Sequence, residues 1–391
     1  MPKTVIIGAG AAGCFCAIEL KRRRPDMDVT VYEAGAKPLA KVAVTGGGRC
    51  NLTNSFAGIS RLAEAYPRGE QVMKRALRAF SQRDTMEWFE REGVALLTQE
   101  DGCVFPVSQD AMQIVRTLER LMRELGVNVV CNRKVANLSE LDADCIVITA
   151  GGSRKAALQA LLPDDVAITD TVPSLFTFKI ADESLRALMG TVAENVALSL
   201  AGTAFRSHGT LLVTDWGVSG PATLRLSSYA ARHLAANGYR ATLLVNWLDC
   251  PESEVRQILN ACISGNAKKF VSNAHPEGMT ERLWQHLLQR AGVRSDLRWQ
   301  ELGGKSVNRL VNTLTADEYA VVGRARFKEE FVTCGGVDLA GVDLNTLESK
   351  AHPGLFFAGE VLDIDAITGG FNLQAAWSTG YTVARTIAAE K

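Results

Sequence analysis

The segment Gly8-Ala9-Gly10-Ala11-Ala12-Gly13 has the residue types and the spacing to hold a diphosphate. Gly8 permits a tight turn, Gly10 lets the backbone approach an anion, and Gly13 permits close packing of a following helix. The N-terminus of that helix offers free N–H groups and a positive dipole end to the phosphates. Roughly twenty residues further on stands Glu33, followed by Ala34 in the same turn; a carboxylate there accepts hydrogen bonds from both ribose hydroxyls and repels a ribose 2′-phosphate.

Three more segments carry chemistry. Lys41 precedes Thr45-Gly46-Gly47-Gly48-Arg49-Cys50-Asn51-Leu52-Thr53-Asn54, where consecutive glycines let the backbone lie flush against a ligand. Arg49 is suited to pair with phosphate there, and Asn51, Thr53 and Asn54 add hydrogen-bonding groups. Near the C-terminus, Gly359-Glu360-Val361-Leu362-Asp363 precedes Thr368-Gly369-Gly370-Phe371-Asn372-Leu373-Gln374. The glycine pair before a helix is a second anion site, suited to the electron-rich edge of a reduced flavin, and Asp363 suits a ribityl hydroxyl. The small-residue turn Thr149-Ala150-Gly151-Gly152 completes the set. Contact regions spread along the chain in this way fit an extended dinucleotide, FAD better than NAD.

The elements that must position these residues follow from pattern. Val5-Ile6-Ile7 reads as a strand entering the glycine turn, Ala11 to about Arg24 as a helix stopped by Pro25, and Val29-Thr30-Val31-Tyr32 as the strand ending at Glu33. Lys21 to Arg24 suit the negative end of the helix dipole, which explains that cluster without nucleic acid. A helix over about Ala111–Leu125 presents Ile114, Val115, Leu118, Leu121, Met122 and Leu125 on one side. Val127 to Val130 and Cys145 to Ile148 read as further strands, the latter ending at the carboxyl edge of a sheet, where open α/β folds receive ligands. The expected fold class is α/β, a two-dinucleotide-binding, Rossmann-like domain formed by residues 1–164 and 333–391. It is interrupted at 165–332 by a β-rich lobe with a small helical lobe at about 252–302. The returning strand at Gly354–Glu360 and a last helix from about Gln374 complete the first domain. A second glycine-rich strand–turn–helix is missing, which argues against a dedicated nicotinamide domain.

The length of 391 residues and 47% hydrophobic content support more than one core. Lys+Arg and Asp+Glu both total 43, so no global charge draws the chain to nucleic acid or to an anionic membrane. Nine cysteines, with neither a CxxC pair nor zinc-ligand spacing, read as reduced thiols rather than a disulfide framework, and no metal site is expected. No signal peptide is evident, and no apolar run approaches the ~20 residues needed to cross a bilayer. The expectation is a soluble, cytoplasmic protein.

These motifs together resemble the BaiN/RdsA family of NAD(P)/FAD-dependent oxidoreductases, also described as aminoacetone-oxidase-like FAD-binding enzymes. The resemblance covers almost the whole chain. It includes Gly102-Cys103-Val104-Phe105-Pro106-Val107-Ser108, Asp215-Trp216-Gly217-Val218-Ser219-Gly220-Pro221-Ala222, Gly335-Gly336-Val337 and Glu348-Ser349-Lys350. It implies that Gly10, Ala12 and Gly13 cradle a pyrophosphate, that Glu33 takes the adenosine ribose, and that the backbone of Val135 meets the adenine. It also implies that Arg49 and its neighbours line the cofactor, while Asp363, Asn372 and Leu373 approach the ribityl chain and isoalloxazine. Asp215 stands where many members have His.

The activity expected is hydride transfer from NAD(P)H through FAD to an unsaturated C=C or C=N bond of a small molecule. Alternatives are reduction of a ribosomal RNA uridine to dihydrouridine, an aminoacetone-type amine oxidase, and a non-catalytic flavin-binding redox sensor. Arg324, Arg326 and Lys328 with Lys268-Lys269 are the candidate RNA face. No side chain stands out as the proton donor; Cys50, whose thiol a flavin or helix dipole could acidify, and Asp215 are the candidates.

Overall fold

The computed structural model describes residues 2–325 and 332–389. The chain divides into two compact units, residues 1–172 with 332–391, and residues 173–331.

In the first unit five strands form one parallel sheet, in the order Leu355–Phe357, Cys145–Ile148, Lys3–Ile7, Asp28–Tyr32, Asn128–Val130. This is a Rossmann-like arrangement in which the last strand of the chain joins the sheet beside Cys145–Ile148. The central strand is apolar along its length, with Val5, Ile6 and Ile7 at most 7% exposed, as expected of a strand covered on both faces. The helix Ala11–Arg23 follows the glycine turn and stops before Pro25, which disfavours the helical conformation of the preceding residue. Lys21 Nζ donates to Pro25 O at 2.8 Å and Met27 O at 3.0 Å, while Arg22 and Arg24 pair with Glu92 and Asp26. The basic cluster thus closes the helix end.

The C-terminal helix Phe371–Ala389 packs on the helix Ala11–Arg23. It begins three residues earlier than the expected Gln374, so Phe371, Asn372 and Leu373 occupy its first turn rather than the preceding loop. The two helices meet through small residues: a Cβ on Gly380 would lie 2.7 Å from Ala12 O. Beside that crossing, Phe15 contacts Trp88, Phe80 and Trp377 at ring-centroid distances of 4.8, 5.3 and 5.4 Å. Each such ring contributes about 1.5–3 kcal/mol through burial.

The second unit is a closed six-stranded antiparallel barrel of Phe178–Ile180, Val192–Leu200, Arg206–Thr214, Gly217–Ser219, Ala241–Asn246 and Asp317–Arg324. Leu198, Leu211, Val213, Val218, Leu243 and Val321 fill its core. Three longer helices, Glu252–Gly265, Glu281–Arg290 and Gly304–Ala316, lie between the last two barrel strands. The helical segment therefore runs past the expected end near Leu302. Its last helix starts at Gly304, a poor helix former, and the burial of Leu310, Val311 and Leu314 outweighs that local propensity.

A buried polar network ties helix Glu281–Arg290 to the barrel. Asp317, 4% exposed, accepts from Trp247 Nε1 at 3.0 Å, Tyr319 OH at 2.6 Å and Arg290 Nε at 2.7 Å. Arg290 also donates to Asp182 at 2.8 Å, and its guanidinium stacks on the Tyr319 ring at 4.3 Å. Because the Tyr319 hydroxyl donates to Asp317, His286 Nε2, 3.1 Å away, is the donor to it.

Candidate functional site

The glycine turn joins strand Lys3–Ile7 to helix Ala11–Arg23, and its glycines play different parts. Gly8 has φ +110°, and a Cβ there would lie 2.4 Å from Thr149 O. A Cβ on Gly13 would lie 2.1 Å from Gly8 O and 2.5 Å from Thr149 Oγ1. Thr149 Oγ1 donates to Ile7 O and Gly8 O at 3.0 and 2.7 Å, so Thr149-Ala150-Gly151 runs directly beside the turn. Gly10 differs: a Cβ there would meet nothing within 4 Å, and as N-cap of the helix it provides no side-chain cap. The helix N-terminus therefore opens onto free space.

Glu33 is half-buried. Its carboxylate accepts from Ala9 N–H at 2.9 Å and Gly35 N–H at 2.7 Å, which fixes it against the turn. Ala34 is exposed next to it, and Val135 is buried in the loop after Asn128–Val130. Arg133 N–H donates to Glu33 O at 2.8 Å, bringing that loop to the same strand edge.

Lys41 lies on the short helix Ala40–Val44, with Thr45 Oγ1 donating to Lys41 O. Its Nζ is 3.5 Å from Glu360 Oε2, while Glu360 Oε1 accepts from Thr333 N–H at 2.8 Å. A Cβ on Gly151 would lie 3.8 Å from Glu360 Oε2 and 4.0 Å from Lys41 Nζ. Residues 41, 151, 333 and 360, distant in sequence, thus meet beside the glycine turn.

In the next loop, side-chain positions at Gly47 and Gly48 are open, with nothing within 4 Å. Arg49 is exposed; its Nε donates to Gly46 O at 3.3 Å and its guanidinium stacks 4.6 Å above the Phe105 ring. Cys50 is fully buried, and burial pushes its thiol up to about 12. That is the reverse of the acidification a reactive Cys50 was expected to have.

The polar residues of this loop stitch it to the C-terminal segment. With its amide oriented to satisfy both atoms, Asn51 donates to Thr53 O at 2.9 Å and accepts from Gly370 N–H at 3.3 Å. Thr53 Oγ1 donates to Gln374 Oε1 at 2.5 Å, and Asn54 Nδ2 donates to Gly369 O at 2.9 Å. Gly370 has φ +90°, and a Cβ there would lie 2.3 Å from Thr53 O. Asn372 accepts from Ala366 N–H at 3.0 Å and donates to Ala366 O at 3.1 Å. The side chains of Thr53, Asn54 and Asn372 thus bond the loop and the C-terminal segment to one another. Phe371 O accepts from the Tyr66 hydroxyl, Leu373 is half-buried, and Asp363, also half-buried, donates its N–H to Val337 O. Gly359 N–H donates to Thr379 Oγ1 at 2.9 Å.

Reasoning from sequence missed Gln374, Thr379, Thr333 and the ion pair of Arg68 with the fully buried Asp365. Polar residues at a buried helical spacing, Gln374, Ser378 and Thr382, were the available signal for part of this set.

Asp215 is exposed at the turn between Arg206–Thr214 and Gly217–Ser219 of the barrel unit, where Trp216 Nε1 donates to Thr177 Oγ1. Of the basic residues named for RNA, Lys268 and Lys269 are exposed and Arg324 stacks on Tyr239 at 5.2 Å. Arg326 and Lys328 lie outside the described residues. No helix among the described residues is long and apolar enough to cross a membrane.

A family model described as HI0933-like protein Rossmann domain matches residues 2–386. The chain is 27% identical over 413 residues to a protein named ribosomal RNA dihydrouridine synthase from Escherichia coli, covering 99% of this chain and 98% of that one. A Haemophilus influenzae protein of the same name is 27% identical, with 98% of each chain covered. A 3-dehydro-bile acid delta(4,6)-reductase from Clostridium scindens is also 27% identical, with 99% of each covered.

Proposed function

The chain belongs to the HI0933-like Rossmann-domain family, and from that premise we propose that it is an FAD-dependent reductase that takes hydride from NAD(P)H and delivers it to a C=C or C=N bond. The observation that carries this reading is the contrast within the glycine set. Gly8, Gly13 and Gly370 are packed against backbone, whereas Gly10, Gly47 and Gly48 face open space beside an uncapped helix N-terminus. At those three positions the backbone is left approachable, as a ligand lying flush against the chain requires. The names of the relatives support a C=C bond as acceptor, since making a dihydrouridine and reducing a delta(4,6) steroid each add two hydrogens across such bonds.

The residues present fit FAD. Helix Ala11–Arg23 would meet the diphosphate through its N-terminal N–H groups with Gly8, Gly10, Ala12 and Gly13 around it, and Glu33 would accept from the adenosine ribose. Ala34 and Val135 would flank the adenosine end. Thr45, Gly47, Gly48, Arg49, Cys50 and Asn51 would line one side of the cofactor, with Ala150, Gly151, Gly359, Glu360, Asp363, Gly370, Phe371, Asn372 and Leu373 lining the other segments. When bound, the flavin supplies the hydride chemistry. The protein's part would be to shield the cofactor with Phe105, Phe371 and Leu52, to hold it against the loop that Asn51 and Gly370 lock, and to offer positive helix ends to negative charge. The Cys50 thiol is buried, so the proton is left to the substrate's own surroundings.

Anaerobic mixing of the purified protein with NADH or NADPH tests this. Rapid bleaching of flavin absorbance, reversed by an unsaturated acceptor, is the expected result. Bound flavin that neither nucleotide reduces, with peroxide formed from aminoacetone, would replace it with the amine-oxidase reading; flavin inert to both would leave a redox sensor. A second reading, reduction of uridine in ribosomal RNA, is favoured by two relatives bearing that name. Dihydrouridine formed in ribosomal RNA would establish it, and RNA affinity should then fall steeply with salt.

A further inference from the structure

We propose that Lys41 is the side-chain cation that recognises the cofactor's diphosphate, and that Glu360 is the positioning residue that holds it ready. The inference rests on the FAD reading above and assigns one part of that site. Leu39, two residues before Lys41, donates its N–H to Ala9 O at 2.7 Å, which pins helix Ala40–Val44 to the glycine turn. Gly359, next to Glu360, packs on the first turn of helix Ala11–Arg23: a Cβ on Gly359 would lie 2.8 Å from Ala12 Cβ. Lys41 and Glu360 therefore rise from two segments that are each anchored at the helix entry, and their charged ends meet over Gly151.

An ammonium on a segment pinned to the glycine turn adds a second positive feature near an uncapped helix N-terminus, which favours a negative partner there. Glu360 supplies one. Its hold is loose: the contact is 3.5 Å, and the two side chains are 67% and 23% exposed, so water screens the pair and weakens it. The carboxylate is the fixed member, because Oε1 also accepts from Thr333 N–H at 2.8 Å. The ammonium, on its flexible four-carbon stem, is the movable one. A diphosphate at the open face of Gly10 offers more charge and more acceptor oxygens than one carboxylate, and Lys41, with three N–H donors, bonds it while Glu360 keeps hold of one of them.

The test is calorimetric titration of the full-length protein, stripped of flavin, with FAD, ADP and riboflavin. Lys41→Met is expected to weaken FAD and ADP by the same factor, about tenfold for a lost charge-assisted contact, and to leave riboflavin unchanged. Lys41→Arg should restore both. Glu360→Gln should weaken both ligands by a smaller factor in the native background and have no further effect in Lys41→Met, which marks a residue acting through Lys41. The proposal is overturned if Lys41→Met leaves ADP affinity intact, whether or not FAD affinity falls, because the cation then does not serve the diphosphate. It is also overturned if Glu360→Gln weakens ADP equally in both backgrounds. Failure of the unmodified protein to bind either FAD or ADP would instead overturn the flavin reading, and this inference with it.

Discussion

Around the glycine turn of the first unit, polar side chains are bonded to backbone and the centre is left open. Glu33 grips Ala9 and Gly35, Thr149 grips Ile7 and Gly8, and Asn372 grips Ala366, while Gly10, Gly47 and Gly48 border free space. One network in the barrel unit turns on itself instead. Asp317, Arg290, Asp182, Tyr319, Trp247 and His286 satisfy each other, from the buried Asp317 out to the partly exposed Arg290 and Asp182. The first pattern fixes backbone beside open glycine positions; the second joins side chains to one another. Buried polarity alone therefore does not mark a functional site, and what distinguishes the first unit is the approachable backbone beside its hydrogen bonds.

The largest effect that this contrast predicts is in the barrel. Asp317→Ala leaves the buried Trp247 and Tyr319 donors without their acceptor and takes one partner from Arg290, so unfolding free energy should fall by about 2–5 kcal/mol, read by denaturant titration of tryptophan fluorescence. A loss under 1 kcal/mol would mean that the network is not what closes this core.

The next effects separate glycines within one motif. Gly8→Ala should cost about 2–3 kcal/mol of stability, from a strained positive φ and contact with Thr149 O. Gly10→Ala should leave the melting temperature unchanged, because its Cβ meets no protein atom, yet weaken FAD by about tenfold or more by filling the approach to the diphosphate. Equal stability losses at the two positions would erase the distinction between packed and open glycines.

A smaller effect concerns pH. Burial, helped by the nearby Arg290 charge, holds the His286 imidazole below its ordinary 6.5. The unfolded chain then binds a proton that the native protein refuses, so stability declines as pH falls from 6.5 downward. His286→Gln, which keeps a donor for Tyr319, should flatten that decline in thermal melts; an unchanged slope would assign it to other groups.

The smallest effect belongs to Cys50. With its thiol buried and pushed up to about 12, it should resist iodoacetamide at about pH 8 in the folded protein, as read by mass spectrometry. Cys50→Ala should leave flavin reduction by nicotinamide unchanged; a changed rate would return the thiol to the chemistry.

The parts readable in advance were those whose geometry is local. Strand Lys3–Ile7, the glycine turn, helix Ala11–Arg23 and Glu33 lie within one supersecondary unit, where residue spacing dictates position. The apolar face of helix Ala111–Glu124 was readable for the same reason. Boundaries were less so. Helix Phe371–Ala389 starts before Gln374, and helix Gly304–Ala316 begins at a glycine pair, because tertiary burial overrode local turn signals.

The sequence by itself determined that a glycine turn leads from a strand into a helix and that Glu33 follows at the end of the next strand, since both are set by a few φ/ψ choices and one helical length. It also placed glycine-rich segments near residues 46 and 370 without telling what their neighbours do. Only the tertiary structure decided that Asn51, Thr53 and Asn54 bind the C-terminal segment, that Cys50 is buried, and that Lys41 meets Glu360 across the sheet edge. Those pairings join residues some three hundred positions apart. Hydrogen bonds and desolvation depend on distance in space, which spacing along the chain does not encode.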